Sequence, residues 1–169
     1  MISPLASRPP SNIRALSAKN DIPQEACRPF DAKRNGFVMG EGAAMMVLES
    51  AEHALERGAN IIAELADYGA TSDAFHLIQP QPDGTSATRA IKMTLERGGI
   101  NPREVGYINA HGTATVLNDK TETNVIKTVF GDYARKIPIS ASKSMIGHLL
   151  GAAGSIEAVI TVLALQHGM

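Results

Sequence analysis

Two imidazoles and one ammonium are the groups in this chain best placed to do chemistry. His111 lies in Asn109-Ala110-His111-Gly112-Thr113-Ala114-Thr115. Lys143 and His148 lie in Ser142-Lys143-Ser144-Met145-Ile146-Gly147-His148. Both loops are built of small residues, and each follows a short apolar run that reads as a strand. In open α/β sheets, reacting groups gather beyond the carboxyl ends of the strands, so the two loops can meet at one sheet edge. A neutral histidine can donate a ring hydrogen to a developing oxyanion. Two such donors converging on one point would stabilise an enolate or a tetrahedral intermediate. His148 is expected at the start of the last helix, where the helix dipole disfavours a positive imidazole. Thr113 and Thr115 add hydroxyls able to hold a polar substrate arm. Glu157 lies in an otherwise apolar helical stretch. A buried lone carboxylate is costly, so it needs a partner, and Lys143 is the natural candidate.

The residue types also exclude chemistry. No i, i+4 histidine pair and no cysteine cluster occurs, which argues against zinc. The one cysteine, Cys27, is followed by Arg28, Pro29 and Phe30. A nucleophile elbow wants small neighbours at a strand-to-helix turn. Cys27 has neither, so it is not expected to be a nucleophile. One cysteine forms no internal disulfide and fits a reducing compartment.

The elements that would position these groups alternate. Strands are expected over 43–48, 61–68, 105–110 and 137–141. The first is a continuous apolar run, as in a strand covered on both faces. Ser50 caps a short helix over 51–57 that Gly58 ends. Thr85 or Ser86 caps a second, with Ala87, Ala90, Ile91, Thr94 and Leu95 on its inner face. Asp119 and Glu122 open a third, with Val125, Ile126, Val129 and Phe130 inside and Gly131 at its end. The fourth, over 149–166, reads as buried. The glycines of 36–42 look like a phosphate loop only superficially, since no Lys-Ser/Thr pair follows. They suit tight turns or a bulge. The loop 69–84, with Pro80 and Pro82, has the length of a functional cover. Alternating strand and helix imply an α/β fold with a mostly parallel sheet.

Composition sets the outer bounds. The 169 residues are 44% hydrophobic and 20% charged, with a net charge of -1. Length alone suggests one domain, and the charge argues against wholesale nucleic-acid binding. No stretch has a signal-peptide layout. The apolar segment 149–165 carries Glu157 and is shorter than the ~20 residues of a spanning helix. Residues 1–35 look irregular, with prolines at 4, 9, 10, 23 and 29. There Arg8, Arg14, Lys19, Arg28, Lys33 and Arg34 face Asp21, Glu25 and Asp31, an excess of three positive charges. This is either a solvated loop or a docking surface for an acidic partner.

Several motifs are specific: Arg14-Ala15-Leu16-Ser17, Arg28-Pro29-Phe30-Asp31, Gly36-Phe37-Val38-Met39-Gly40-Glu41-Gly42 and Tyr107-Ile108-Asn109-Ala110-His111-Gly112-Thr113. Leu117-Asn118-Asp119, Lys143-Ser144-Met145 and Gly147-His148-Leu149-Leu150-Gly151-Ala152-Ala153-Gly154 complete the set. On these residues, nearly the whole chain from about Ile2 resembles the elongating, synthase II-like β-ketoacyl-acyl-carrier-protein synthases of bacterial and organellar fatty-acid synthesis. The resemblance implies a thiolase-like α/β fold of two related halves. Residues 1–58 would be the tail of the N-terminal half. Residues 59–169 would be most of the C-terminal βαβ half, incomplete.

The implied reaction is a decarboxylative Claisen condensation of malonyl-acyl carrier protein with an acyl-enzyme. His111 and His148 would assist decarboxylation and stabilise the enolate and oxyanion. Lys143 would be the active-site lysine, with Glu157 as its supporting carboxylate. Thr113 and Thr115 would contact the 4′-phosphopantetheine arm carried by the acyl carrier protein. No other cofactor and no metal is implied. Arg14 and its basic neighbours would face the carrier protein, and 73–83 would gate the site. The full enzyme would be a homodimer in the cytoplasm, or in a plastid or mitochondrion, with no nucleic-acid or membrane partner.

The sequence also departs from the family. The acyl-accepting cysteine of the family precedes the stretch matched here, and its closing Gly-Phe-Gly-Gly-type segment follows it. Ile78 and Ile146 stand where the family often has threonine. The 169 residues alone are therefore expected to lack condensing activity. A polyketide ketosynthase domain, a non-catalytic partner subunit and an inactive fragment are the alternatives.

Overall fold

The computed structural model describes residues 14–168. Among the described residues, five α-helices and two short strands occur in the order α1 (Ala51–Glu56), α2 (Thr85–Arg97), β1 (Ile108–Asn109), α3 (Val116–Phe130), β2 (Ile139–Ser140), α4 (Lys143–Ile146) and α5 (Ala153–His167). β1 and β2 pair in parallel, with Ile108 opposite Ile139 and Asn109 opposite Ser140. The crossover between them is α3. Leu95, Ile126, Phe130 and Ile137 form the core, and Ile91, Ile100, Val105, Ile108 and Val129 pack around it. This core holds α2 and α3 against the strand that delivers His111.

Both strands are shorter than the apolar runs that predict them. A 3-10 turn, Pro102–Glu104, takes up the approach to β1 and is held by a capping box between Asn101 and Glu104. On the other side Pro138 has no N–H to give to a ladder, although its carbonyl accepts from Ile108 N at 3.0 Å. Beyond Ser140 the chain turns at once into α4. The runs 43–48 and 61–68 correct the sequence reading more sharply. Neither contains helix, strand or turn, and Met45 and Val47 are 95% and 88% exposed. A strand is made by its neighbours' N–H and C=O groups. Among the described residues nothing lies alongside these two runs to pair with them.

Helix starts differ from expectation for local reasons. Gly84, not Thr85 or Ser86, is the N-cap of α2, in the left-handed conformation with φ 66. An added Cβ there would meet Val125 Cγ2 at 2.3 Å, so the close approach of α2 to α3 requires glycine. Ser86 is buried instead, its hydroxyl donating to Gln81 Oε1 at 3.1 Å. Ala87 is exposed, while Ala90, Ile91 and Thr94 are half-buried and Leu95 buried. Ser50 caps α1 as expected, its side chain accepting from His53 N. The N-cap of α3 is Thr115, so Asp119 and Glu122 lie within the helix rather than opening it.

The last helix, α5, begins at Ala153 after a 3-10 turn over Leu150–Ala152. It is not buried: of its residues only Ala153 is, and Leu163 and Leu165 are exposed. The segment Leu150–His167, of hydropathy 1.3, is long and apolar enough to cross a bilayer by length and composition alone. Its polar groups Glu157 and Thr161 are tied to Lys143 and Asn109.

The glycine-rich stretch 36–42 threads between two other segments. Phe37 bridges Leu16, and Met39 bridges His148. An added Cβ at Gly40 would lie 2.1 Å from Ile146 O, which explains that glycine as a close backbone approach. Gly147 stands on the other side of this contact with φ 72, its absent Cβ 2.9 Å from Val38 O. Gly147→Ala is expected to destabilise the protein by about 1–3 kcal/mol through left-handed strain and this clash. Denaturant unfolding followed by circular dichroism measures the loss.

Candidate active site

His111 follows β1 directly, with Ala110 buried beneath it. Its backbone is clamped from α3: His111 N donates to Glu122 Oε1 at 2.6 Å, and Gly112 N donates to Glu122 Oε2 at 2.8 Å. Gly112 has φ 43, and a Cβ there would collide with Ala141 Cβ at 2.4 Å, so the His111 and Lys143 loops touch through this glycine. Asp119, 1% exposed, accepts from Phe30 N at 2.7 Å and faces Arg34 Nε at 3.5 Å. Arg34 Nη2 also donates to Val116 O at 2.9 Å. The turn 28–34 is thereby fastened to the first turn of α3. Arg34 belongs to this internal lock, and Arg28 pairs with Glu25 at 3.2 Å. Neither is a free member of the basic surface, and Arg8 lies outside the described residues.

Lys143 heads the single turn of α4 and is 1% exposed. Its ammonium has three hydrogens, and the structure supplies three acceptors. Nζ donates to His111 O at 2.7 Å, to Glu157 Oε1 in an ion pair, and to His111 Nδ1 at 3.3 Å. Glu157 is thus the partner of Lys143, as its place in an apolar helix requires. Cys27 Sγ donates to Lys143 O at 2.8 Å across 116 residues of sequence.

His148 is not at a helix start. It lies before the 3-10 turn, in a bridge to Met39: His148 N donates to Val38 O at 2.7 Å and Gly40 N to His148 O at 3.0 Å. Its Nδ1 accepts from Leu150 N at 3.1 Å. The edge of Phe37 packs against its ring, with centroids 5.2 Å apart. The rings of His111 and His148 stand at 88° with centroids 5.4 Å apart.

The electrostatics correct the expected cause, though not its direction. Burial, then the Lys143 ammonium and the His111 ring, push the His148 pKa down to about 4. The helix dipole is not among the causes. His111 is also held below the usual histidine range, first by desolvation and then by Lys143, with Glu122, Glu157 and Asp119 pulling the other way. His111 is itself solvent-exposed, and the Lys143 ammonium lies 3.3 Å from its Nδ1. Both rings are neutral at pH 7. On each, Nδ1 is the acceptor, which leaves the ring hydrogen on Nε2. Neither Nε2 makes a hydrogen bond among the described residues. The site therefore holds two neutral N–H donors beside a buried cation.

The other candidates fall into place unevenly. Thr113 is buried, its hydroxyl 2.9 Å from that of Thr115. Thr115 Oγ1 accepts from Asn118 N, so this hydroxyl is committed to the cap of α3. Arg14 is exposed, with φ 55, and does not bond to the site among the described residues. Ile78 is 55% exposed in the loop before α2, and Ile146 closes α4. Burial raises the Cys27 thiol pKa above its ordinary value, and Asp119 adds to the rise against the lowering effect of the Val38 backbone and Lys143. An apolar groove of about 580 Å³ between α2, α3 and β1 has Asn109, His111 and Glu122 in its wall. Among the described residues no three His, Cys, Asp or Glu side chains converge to hold a metal. Sequence reasoning missed the clamp by Glu122. An acid eleven residues after His111, on the same helix as Asp119, was its only signal.

Loops at strand ends carrying a histidine pair and a buried lysine, on an α/β frame of this topology, define the thiolase-like class. Within that class the chain belongs to the β-ketoacyl synthase family. Residues 62–169 match the beta-ketoacyl synthase, C-terminal domain, and residues 1–54 match its N-terminal domain. The chain is 52% identical over 164 residues to 3-oxoacyl-[acyl-carrier-protein] synthase 2 of Synechocystis sp., covering 97% of this chain and 39% of that protein. It is 50% identical to the synthase 2 of Staphylococcus aureus, over 92% of this chain and 38% of that protein. The chain thus spans about two fifths of the length of these curated relatives. Among solved structures, a type II polyketide acyl carrier protein in complex with its ketosynthase matches at TM-score 0.93 and 43% identity, covering 98% of this chain and 41% of that one. A β-ketoacyl synthase from Burkholderia phymatum matches at TM-score 0.92 and 41% identity, covering 98% and 40%.

Proposed function

We propose that these residues form the decarboxylating and oxyanion-binding part of an elongating 3-oxoacyl-[acyl-carrier-protein] synthase. The observation that carries the reading is the pair of neutral imidazoles, each with a free Nε2 hydrogen, beside the triply bonded Lys143. In the reaction, the bond from Cα to the malonyl carboxylate breaks and CO2 leaves. Its electron pair forms the enolate, whose oxygen accepts the two Nε2 hydrogens. The enolate carbon then bonds to the carbonyl carbon of an acyl-enzyme thioester, and the enzyme's thiolate departs. Preorganised neutral donors stabilise the enolate because they already point where charge develops. Lys143 holds His111 by its carbonyl and Nδ1 and fixes the tautomer that donates. The curated relatives at 50–52% identity support the fatty-acid reading.

The accepting thiol comes from residues other than these. Cys27 is half-buried, its pKa is raised, and its hydrogen is directed at Lys143 O. Cys27→Ser in the full-length protein is expected to retain condensation, since a serine hydroxyl donates to the same carbonyl. Complete loss of 3-oxoacyl product would make Cys27 the nucleophile. The substrate arm is the 4′-phosphopantetheine of an acyl carrier protein, with Thr113 and the Thr115 cap beside its path and Arg14 on the carrier-facing surface. The solved complex of a carrier protein with its ketosynthase supports this partner.

The test is release of labelled CO2 from malonyl-acyl carrier protein by the full-length protein. No release above a His111→Ala, His148→Ala control would sink the reading. A polyketide role is favoured by the structural match to a polyketide ketosynthase. One elongation per acyl primer supports the fatty-acid reading, and a poly-β-keto product supports the polyketide one.

A further inference from the structure

The side chain of Asn109 spends both amide hydrogens and its carbonyl on the groups that frame Lys143. Nδ2 donates to Glu157 O at 3.1 Å and to Thr161 Oγ1 at 3.1 Å, and Oδ1 accepts from Ser142 Oγ at 2.9 Å. Asn109 ends β1, two residues before His111. Ser142 immediately precedes Lys143 and is 2% exposed. Glu157 is the ion partner of Lys143, and Thr161 Oγ1 donates in turn to Glu157 O at 2.8 Å. One carboxamide therefore joins the strand that delivers His111, the turn that delivers Lys143 and the helix that delivers Glu157. Its orientation follows from the partners. Reversing the amide would set Oδ1 against the carbonyl of Glu157, two acceptors with no hydrogen between them.

We propose that Asn109 is a positioning residue for decarboxylation, setting the Lys143–Glu157 pair in register with His111. The inference rests on the function proposed above. Asn109 carries no charge and does not titrate, so it acts through geometry. Aspartate has the same shape but no hydrogens to give, and it would face Glu157 O with a second acceptor.

The experiment compares full-length wild type with Asn109→Asp, Ser142→Ala and Thr161→Val. It measures kcat and KM for malonyl-acyl carrier protein decarboxylation, thermal unfolding, and the nitrogen resonances of the histidine rings. Asn109→Asp is expected to lower kcat about 10- to 100-fold, the scale of a misplacement near 1 Å, with KM within about twofold. Ser142→Ala removes one neutral hydrogen bond and Thr161→Val two, and each is expected to lower kcat about fivefold. The His111 ring resonances shift in all three. A folded Asn109→Asp protein with wild-type kcat overturns the assignment. Where that variant does not fold, wild-type kcat in both milder variants overturns it. Failure of the wild type to decarboxylate defeats the proposed function instead. The ring resonances still decide the positioning, which falls if His111 is unmoved in every variant.

Discussion

His148→Ala in the full-length protein is expected to lower malonyl decarboxylation by about 10²- to 10³-fold, the usual loss on removing one preorganised oxyanion donor. The size follows from how completely the ring is fixed. Leu150 N occupies Nδ1, Phe37 packs on the ring in an edge contact at 5.2 Å between centroids, and His111 stands perpendicular beside it. Alanine removes the Nε2 hydrogen. His111→Ala should cost a similar factor. The double variant should cost less than the product of the two, because donors acting on one oxygen are not additive. The rate of CO2 release checks all three. The pH dependence tests the same ring. Its folded pKa, about 4, lies below the ordinary value near 6.5, so the neutral donor persists as pH falls past 6.5 and is lost only toward 4. The same depression makes His148 a source of stability that is fully present above about 6.5 and lost as pH falls through the folded value. His148 should therefore stay a neutral donor at pH 5.5, where an unperturbed histidine would be mostly protonated. A midpoint near 6.5 that vanishes in His148→Ala would refute the depression.

The convergence of His111, Lys143, His148 and Glu157 is more legible in this sequence than the frame that carries them. His111, Lys143 and His148 stood out because their loops are nearly free of competing function, and Glu157 because a carboxylate in an apolar helix demands a cation. Those inferences need only local composition. The strands 43–48 and 61–68 were misjudged because an apolar run states what a segment can do, while the ladder depends on neighbours far away in sequence. The same limit hid Glu122. Its acceptance of two backbone hydrogens from the His111 loop joins residues eleven apart through the turn at Gly112, and no periodicity encodes that. The depressed His148 pKa follows the expected direction by another cause. The helix start that would supply a dipole begins five residues later, at Ala153, and burial, followed by the Lys143 ammonium, lowers the pKa instead.

That cation has the second large effect. Lys143→Ala is expected to destabilise the full-length protein by about 3–5 kcal/mol, the cost of stranding a buried partner charge. Glu157 is 16% exposed along its side chain and has no other cation within salt-bridge reach among the described residues. Lys143→Ala also removes the donors to His111 O and Nδ1, so the loop loses its tie to α4. The charge and the placement are separable. Adding Glu157→Gln to Lys143→Ala removes the stranded carboxylate, so much of the lost stability should return, and denaturant midpoints measure it. Activity should not return with it, because His111 still lacks the contact that selects its donating tautomer. The sign of the pH effect is also fixed. Lys143 lowers the His111 pKa, and Glu122, Glu157 and Asp119 raise it. Without the ammonium only desolvation opposes those carboxylates, and the His111 pKa moves up. The acid limb of any residual decarboxylation in Lys143→Ala should then lie at higher pH than in the wild type. An acid limb that stays in place would mean that the ammonium does not act on His111 in solution.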